Sequence, residues 1–250
     1  MNRGQYRAFD GLRGRFRDYV QKLTVRSPWL GELQEELRVE QGYSDYRVET
    51  PIVYNLALDD VSIADEPVYI IVADNPGKNE QKKSRNRYLV GQSGKLASGW
   101  FAAELGIDFQ KSCIIINKTP IHTPKTAEIA LLKKLARRKS PQLGDELDSL
   151  LDESQRWMAG LGDLHGAMGC VLWVSGYGEL RPRKLFRAWA EETTRLYASA
   201  PAALRNSVWV FRHFSMNQFS IEYRRTEATC NPADRLAAIG TARRKEILGW

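Results

Sequence analysis

Four short apolar runs punctuate the chain: Val68–Ala73, Cys113–Asn117, Cys170–Ser175 and Val208–Arg212. Each is five or six residues long and rich in Val, Ile, Leu and Trp, which predicts buried strands rather than helices. The segments between them carry the helical period instead. One starts near Ser93 and runs to Leu105, with Leu96, Trp100 and Leu105 roughly on one face and Gly106 as its stop. Another starts at Thr126 and turns Ile129, Leu132 and Leu135 inward, and a third spans about Asp145–Gly160. A fourth covers about Arg181–Ala198, with Leu185, Trp189 and Leu196 inward and Pro182 in its first turn. Asn231-Pro232 reads as the N-cap and first-turn pair of a closing helix through Ile247. Strands alternating with amphipathic helices predict an α/β three-layer sandwich, a four-stranded parallel sheet flanked by helices.

Ahead of the first strand, helices are expected around Gly11–Leu23 and Gly31–Glu40, then a polar connection and a short extended piece over Tyr46–Tyr54. Residues 1–50 thus read as an N-terminal helical extension, and 51–250 as the α/β domain. Parallel sheets of this kind bind ligands beyond the carboxyl ends of their strands. Asn75, Asn117, Gly176 and His213 all fall at or just past those ends, so one shared site is expected there.

The first strand opens into Asp74-Asn75-Pro76-Gly77 and a basic loop, suited to a phosphate-rich ligand: Pro76 fixes φ, Gly77 permits close backbone approach, and adjacent amides can point outward. Four segments, in order, resemble the uracil-DNA glycosylase superfamily. They are Ala73-Asp74-Asn75-Pro76-Gly77 after the first strand, Leu89-Val90-Gly91-Gln92-Ser93-Gly94-Lys95-Leu96, the strand ending in Asn117, and the last strand followed by His213-Phe214-Ser215. The second segment is similar to the iron–sulfur branch. Tyr54-Asn55-Leu56 and the Asn before Pro76 are similar to the single-strand-selective branch.

The resemblance implies roles. Asn75 stands where a residue positions the attacking water; an amide orients water through its carbonyl but cannot take the proton. Asp74 stands where the iron–sulfur branch has Glu. Asn117 matches the residue that reads the uracil edge, and Leu89, with Tyr88 beside it, stands where an aromatic ring stacks on the base. His213 matches the imidazole that stabilises charge on the leaving base. Ser93 and Ser215, with nearby amides such as that of Gly91, are the expected phosphate contacts, and Met216 and Phe219 are the apolar candidates for insertion into the stack. Lys82, Lys83 and Arg85 would meet the DNA backbone. Read from the residues alone, Asp74-Asn75 also fits an Asx turn, Asn117 a strand-end amide, and His213 a structural histidine.

The chain departs from the family pattern at Ala73, Leu89 and Phe214. Ile121 and Leu132 fall about where two of the four cluster cysteines would stand, and Cys-x-x-Cys is absent upstream, so no iron–sulfur cluster and no cofactor are expected. Cys113, Cys170 and Cys230 are isolated and odd in number, which argues for a reducing compartment. The net charge of +7 and pI near 9.3 suit a polyanionic partner. No apolar stretch reaches membrane-spanning length. The expectation is a cytoplasmic, monomeric glycosylase that hydrolyses the N-glycosidic bond of uracil or a related deaminated base in DNA, single strands included. Two alternatives stay open: a superfamily member that binds nucleic acid or a partner protein without catalysis, and a nucleoside or nucleotide hydrolase.

Overall fold

The computed structural model describes residues 1–226 and 231–250, so Cys230 lies outside the described residues. Helices α1 (Arg3–Arg26) and α2 (Trp29–Glu40) lead to strand β1 (Tyr69–Ala73). Helix α3 (Gln92–Leu105), the short α4 (Phe109–Ser112) and strand β2 (Cys113–Asn117) follow. Then come α5 (Glu128–Lys139), α6 (Pro141–Ala159), α7 (Gly162–Met168) and strand β3 (Val171–Ser175). The chain ends with α8 (Arg187–Tyr197), α9 (Ala202–Asn206), strand β4 (Val208–Phe211), α10 (Gln218–Arg225) and α11 (Pro232–Leu248). The four strands form one parallel sheet in the order β2-β1-β3-β4, flanked by helices as the alternation predicts.

All four strands are buried along nearly their whole length, which is why they read as continuous apolar runs. Register aligns Ile71 with Ile115 on one side and Trp173 on the other, and Trp173 with Trp209. Trp173 anchors an aromatic cluster over one face, with ring centroids 4.0 Å from Phe211, 5.2 Å from Phe101 and 5.0 Å from Phe219. Helix α6 packs against both α5 and α8. Phe9, Leu12 and Phe16 of α1 are fully buried in the same continuous core as the strands.

Local chemistry sets the element ends. Gly106 closes α3 in the left-handed conformation at φ 68°, a position that favours glycine. The Asn231 side chain accepts from the Asp234 amide, with Pro232 in the first turn of α11, as expected. One expectation is corrected. The helix expected from Arg181 begins at Arg187, because Pro182 disfavours helical backbone in the residue before it and Arg183 is left-handed at φ 65°. The extended piece at 46–54 forms no strand; Ile52 makes an isolated bridge to Ile121 while the Gln81 amide oxygen accepts from the Glu49 and Thr50 amides.

Candidate functional site

A cleft of about 660 Å³ opens beyond the carboxyl ends of the strands. Asp74 and Asn75 reach it from β1, Asn117 from β2, Gly176 from β3 and His213 from β4, so the convergence expected from the strand ends is present. Leu89, Ser93, Ser215 and Met216 line it as well. Gly91 is the N-cap of α3 rather than a wall of the cleft. Tyr88 is not brought in: it is fully buried, and its hydroxyl donates to the Val53 carbonyl at 2.5 Å. Leu89 alone faces the cleft at this place, with its backbone in the left-handed region at φ 51°.

Three polar side chains in the cleft have open valences among the described residues. Asn75 donates through Nδ2 to the Thr123 hydroxyl at 2.9 Å, while its buried Oδ1 has no partner. Asn117 is 1% exposed, and its buried Nδ2 donor is unpartnered. A buried polar atom without a partner is uncommon and costly in a folded protein. His213 accepts the Ser215 backbone N–H on Nδ1 at 3.1 Å, with the Ser215 hydroxyl also 2.8 Å from that nitrogen. A backbone amide can only donate, so Nδ1 is the acceptor and Nε2 carries the proton in the neutral ring. Burial lowers the His213 pKa, with Asp74 opposing and Lys118 assisting, which favours that neutral form.

Asp74 is not a free base. Its Oδ1 accepts from the Lys118 ammonium at 2.6 Å. Lys118 is fully buried; it also donates to the Ser175 carbonyl, lies 3.4 Å from the Ala73 carbonyl, and rests over the Phe186 ring at 5.1 Å. One cation thus ties the ends of β1, β2 and β3 together directly beneath the cleft. Burial lowers its pKa and the Asp74 charge works against that shift. Gly176, at φ 82°, lies so close to Asp74 that a side chain there would strike the carboxylate.

Glu80 also lines the cleft, although it is buried. Its carboxylate accepts from the Gly77 amide at 3.1 Å, and the nearby amides of Leu89, Val90 and Gly91 also favour its charged form. Burial pushes its pKa up to about 7 against those four amides. The carboxylate fastens the 74–77 turn to the loop that leads into α3.

The basic residues along the chain fall into three clusters that divide sharply. Lys133, Arg137, Arg138 and Lys139 pair with Asp148, Asp148, Glu40 and Glu36, so that cluster is an ion-pair network on the fold. Arg181 pairs with Glu246 and Arg187 with Glu191. In the 78–87 loop, Lys78 pairs with Asp45 and Arg87 with Asp60, whereas Lys82, Lys83 and Arg85 make no ion pair among the described residues. Met216 is 81% exposed at the cleft mouth, and both it and Asn217 hold left-handed backbone at φ 54°. Phe219, the other apolar candidate for insertion, is instead buried in the aromatic cluster around Trp173.

Sequence reasoning missed Lys118, Glu80 and Thr123. Lys118 carried one readable signal, a cation directly after the apolar run Cys113–Asn117. Among the described residues, no helix is long and apolar enough to cross a membrane. Compared with known proteins, the chain is matched by no family model and by no curated protein.

Proposed function

We propose that the cleft hydrolyses the N-glycosidic bond of uracil or a related deaminated base in DNA. One observation carries this reading: an unpartnered acceptor on Asn75, an unpartnered donor on Asn117 and a neutral His213 with its proton on Nε2 share one cleft at the strand ends. These are the three things the reaction needs. Asn75 Oδ1 holds a water by its proton and turns its lone pair toward the anomeric carbon. The carbon–base bond breaks with its electron pair going to the base, whose developing charge His213 Nε2–H stabilises. Asn117 reads the base edge. The water's oxygen ends on the sugar as hydroxyl and its proton ends on the released base, so no redox partner is required.

Further support comes from the surroundings. Asp74 is neutralised by Lys118, so the nucleotide does not enter a cleft of net negative wall. Lys82, Lys83 and Arg85 are available for phosphates, and the exposed Met216 stands where an apolar side chain would enter the stack. A base must leave the stack to reach the cleft, at a cost of a few kcal/mol in duplex, so single strands are the better substrate.

The test is single-turnover excision from oligonucleotides carrying one uracil, hypoxanthine or xanthine, read by alkali cleavage of the abasic product. Wild type releases uracil; Asn75→Ala and His213→Ala each lose on the order of 100-fold or more, as loss of one preorganised group does. No wild-type product on any of the three substrates, with retained binding to the oligonucleotide, would replace the hydrolytic reading with a nucleic-acid-binding one.

A further inference from the structure

The side chain of Asn75 is held in one orientation, and the group that holds it is Thr123. The Thr123 hydroxyl is buried and has a single proton, which it donates to the Lys125 carbonyl at 3.0 Å. Its oxygen therefore meets Asn75 as an acceptor, and only the NH2 half of the Asn75 amide can answer it, at 2.9 Å. The carbonyls of Pro76 and Ile121 lie 3.4 Å from the same Nδ2. Turning the amide over would set its oxygen against three oxygens at once. Thr123 is itself fixed to the same turn, because its backbone N–H donates to the Pro76 carbonyl at 3.3 Å. The neighbouring His122 ring nitrogen Nδ1 is 2.9 Å from that carbonyl.

We infer that Thr123 is a positioning residue for the proposed hydrolysis: it fixes the polarity of the Asn75 amide, so that the unpartnered Oδ1, and never the NH2, faces the water that attacks the sugar. This rests on the hydrolytic reading above and adds to it a residue that touches neither water nor base. The chemistry makes polarity decisive. An NH2 in that place would donate to the water's lone pair and tie up the electrons needed for attack, whereas the carbonyl accepts a water proton and leaves a lone pair free.

Thr123→Val keeps the shape and removes the acceptor; Thr123→Ser keeps the acceptor. With a single-stranded oligonucleotide carrying one uracil, Thr123→Val lowers the single-turnover rate about 10- to 100-fold, the scale of a misplaced reacting group, while affinity for the same oligonucleotide is unchanged. Thr123→Ser restores the rate to within about threefold of wild type. In an Asn75→Ala background, Thr123→Val has no further effect on rate, since the two act as one unit. A general loss of fold would instead lower affinity and add to the Asn75→Ala loss. Thr123→Ala repeats the comparison if the valine variant does not fold. An active wild type with an unchanged Thr123→Val rate, or with losses that add across the two sites, overturns this inference alone; an inactive wild type overturns the hydrolytic reading together with it.

Discussion

Replacing Lys118 with Met should uncover how much of the fold hangs on one buried charge. Met keeps an unbranched apolar stem of similar length and removes the ammonium. Three acceptors lose the ammonium: Asp74 Oδ1 at 2.6 Å, the Ser175 carbonyl, and the Ala73 carbonyl at 3.4 Å, which keeps the backbone N–H of residue 118 at 2.9 Å. The dominant cost is the carboxylate, left buried at 8% exposure without its counter-charge. Removing one partner of a buried pair costs about 3–5 kcal/mol. Against a typical total of about 5–15 kcal/mol, that is about a fifth of the stability or more. In urea, at a slope of about 3 kcal/mol per molar, the unfolding midpoint should fall by roughly 1–2 M. Adding Asp74→Asn to Lys118→Met removes the orphaned charge and should recover most of the loss, so the two changes are strongly non-additive. Equilibrium unfolding followed by tryptophan fluorescence and far-UV circular dichroism reads both. A single variant within about 1 kcal/mol of wild type, or a double variant less stable than the single, would show that the buried pair does not hold the strand ends as described.

Three further outcomes follow from the geometry around the cleft. Gly94→Ala drives a methyl group into the Leu89 carbonyl and should cost about 3 kcal/mol, the upper end for overpacking, because the obstacle is backbone; thermal unfolding measures it. Glu80 has its folded pKa raised from 4.5 to about 7, so its contribution to stability is full below 4.5 and is lost as pH rises through 7. Glu80→Gln cannot titrate, so its stability relative to wild type should climb between about pH 5 and pH 8 by up to about 3 kcal/mol, at about 1.4 kcal/mol per pH unit; a flat difference across that range defeats the assignment. Replacing Lys82, Lys83 and Arg85 together with Ala should flatten the dependence of log affinity on log salt by about 2, at roughly 0.7 to 0.9 per phosphate contact, as titrations of fluorescent oligonucleotide at several salt concentrations would show.

The fold was legible because each strand is buried on both faces and so appears as an unbroken apolar run, Tyr69–Ala73 and Cys113–Asn117 most clearly. The strand-end positions of Asn75, Asn117 and His213 were legible for the same reason: once the strands are placed, the parallel arrangement decides where their ends meet. What could not be read depends on contacts distant in sequence. Lys118 looks like a cation leaving a strand for solvent. Its burial is decided by Asp74 and Ser175, which lie 44 and 57 residues away. Whether Tyr88 or Leu89 faces the cleft turns on the left-handed backbone of Leu89, which residue identity does not announce. The run of cations ending α5 has the composition of a nucleic-acid patch, and only the fold shows Glu36, Glu40 and Asp148 already opposite it. The late start of α8 is encoded in Pro182, which suits a first helical turn by its φ but here helps delay the helix.

The strand order β2-β1-β3-β4 has a consequence for how this protein is made. β1 sits inside the sheet with a neighbour on each side, yet those neighbours are synthesised far apart in time. β2 follows after a short interval, but β3 begins only at Val171, with residues 74–170 between. At about 5–20 residues per second, a ribosome needs roughly 5–20 s to cover that distance. Throughout that interval one side of Tyr-Ile-Ile-Val-Ala stands as an open, apolar strand edge, the kind of surface that recruits strands from other chains. Expression yield should therefore be governed by the speed and temperature of translation across 74–170 more than by the stability of the finished fold.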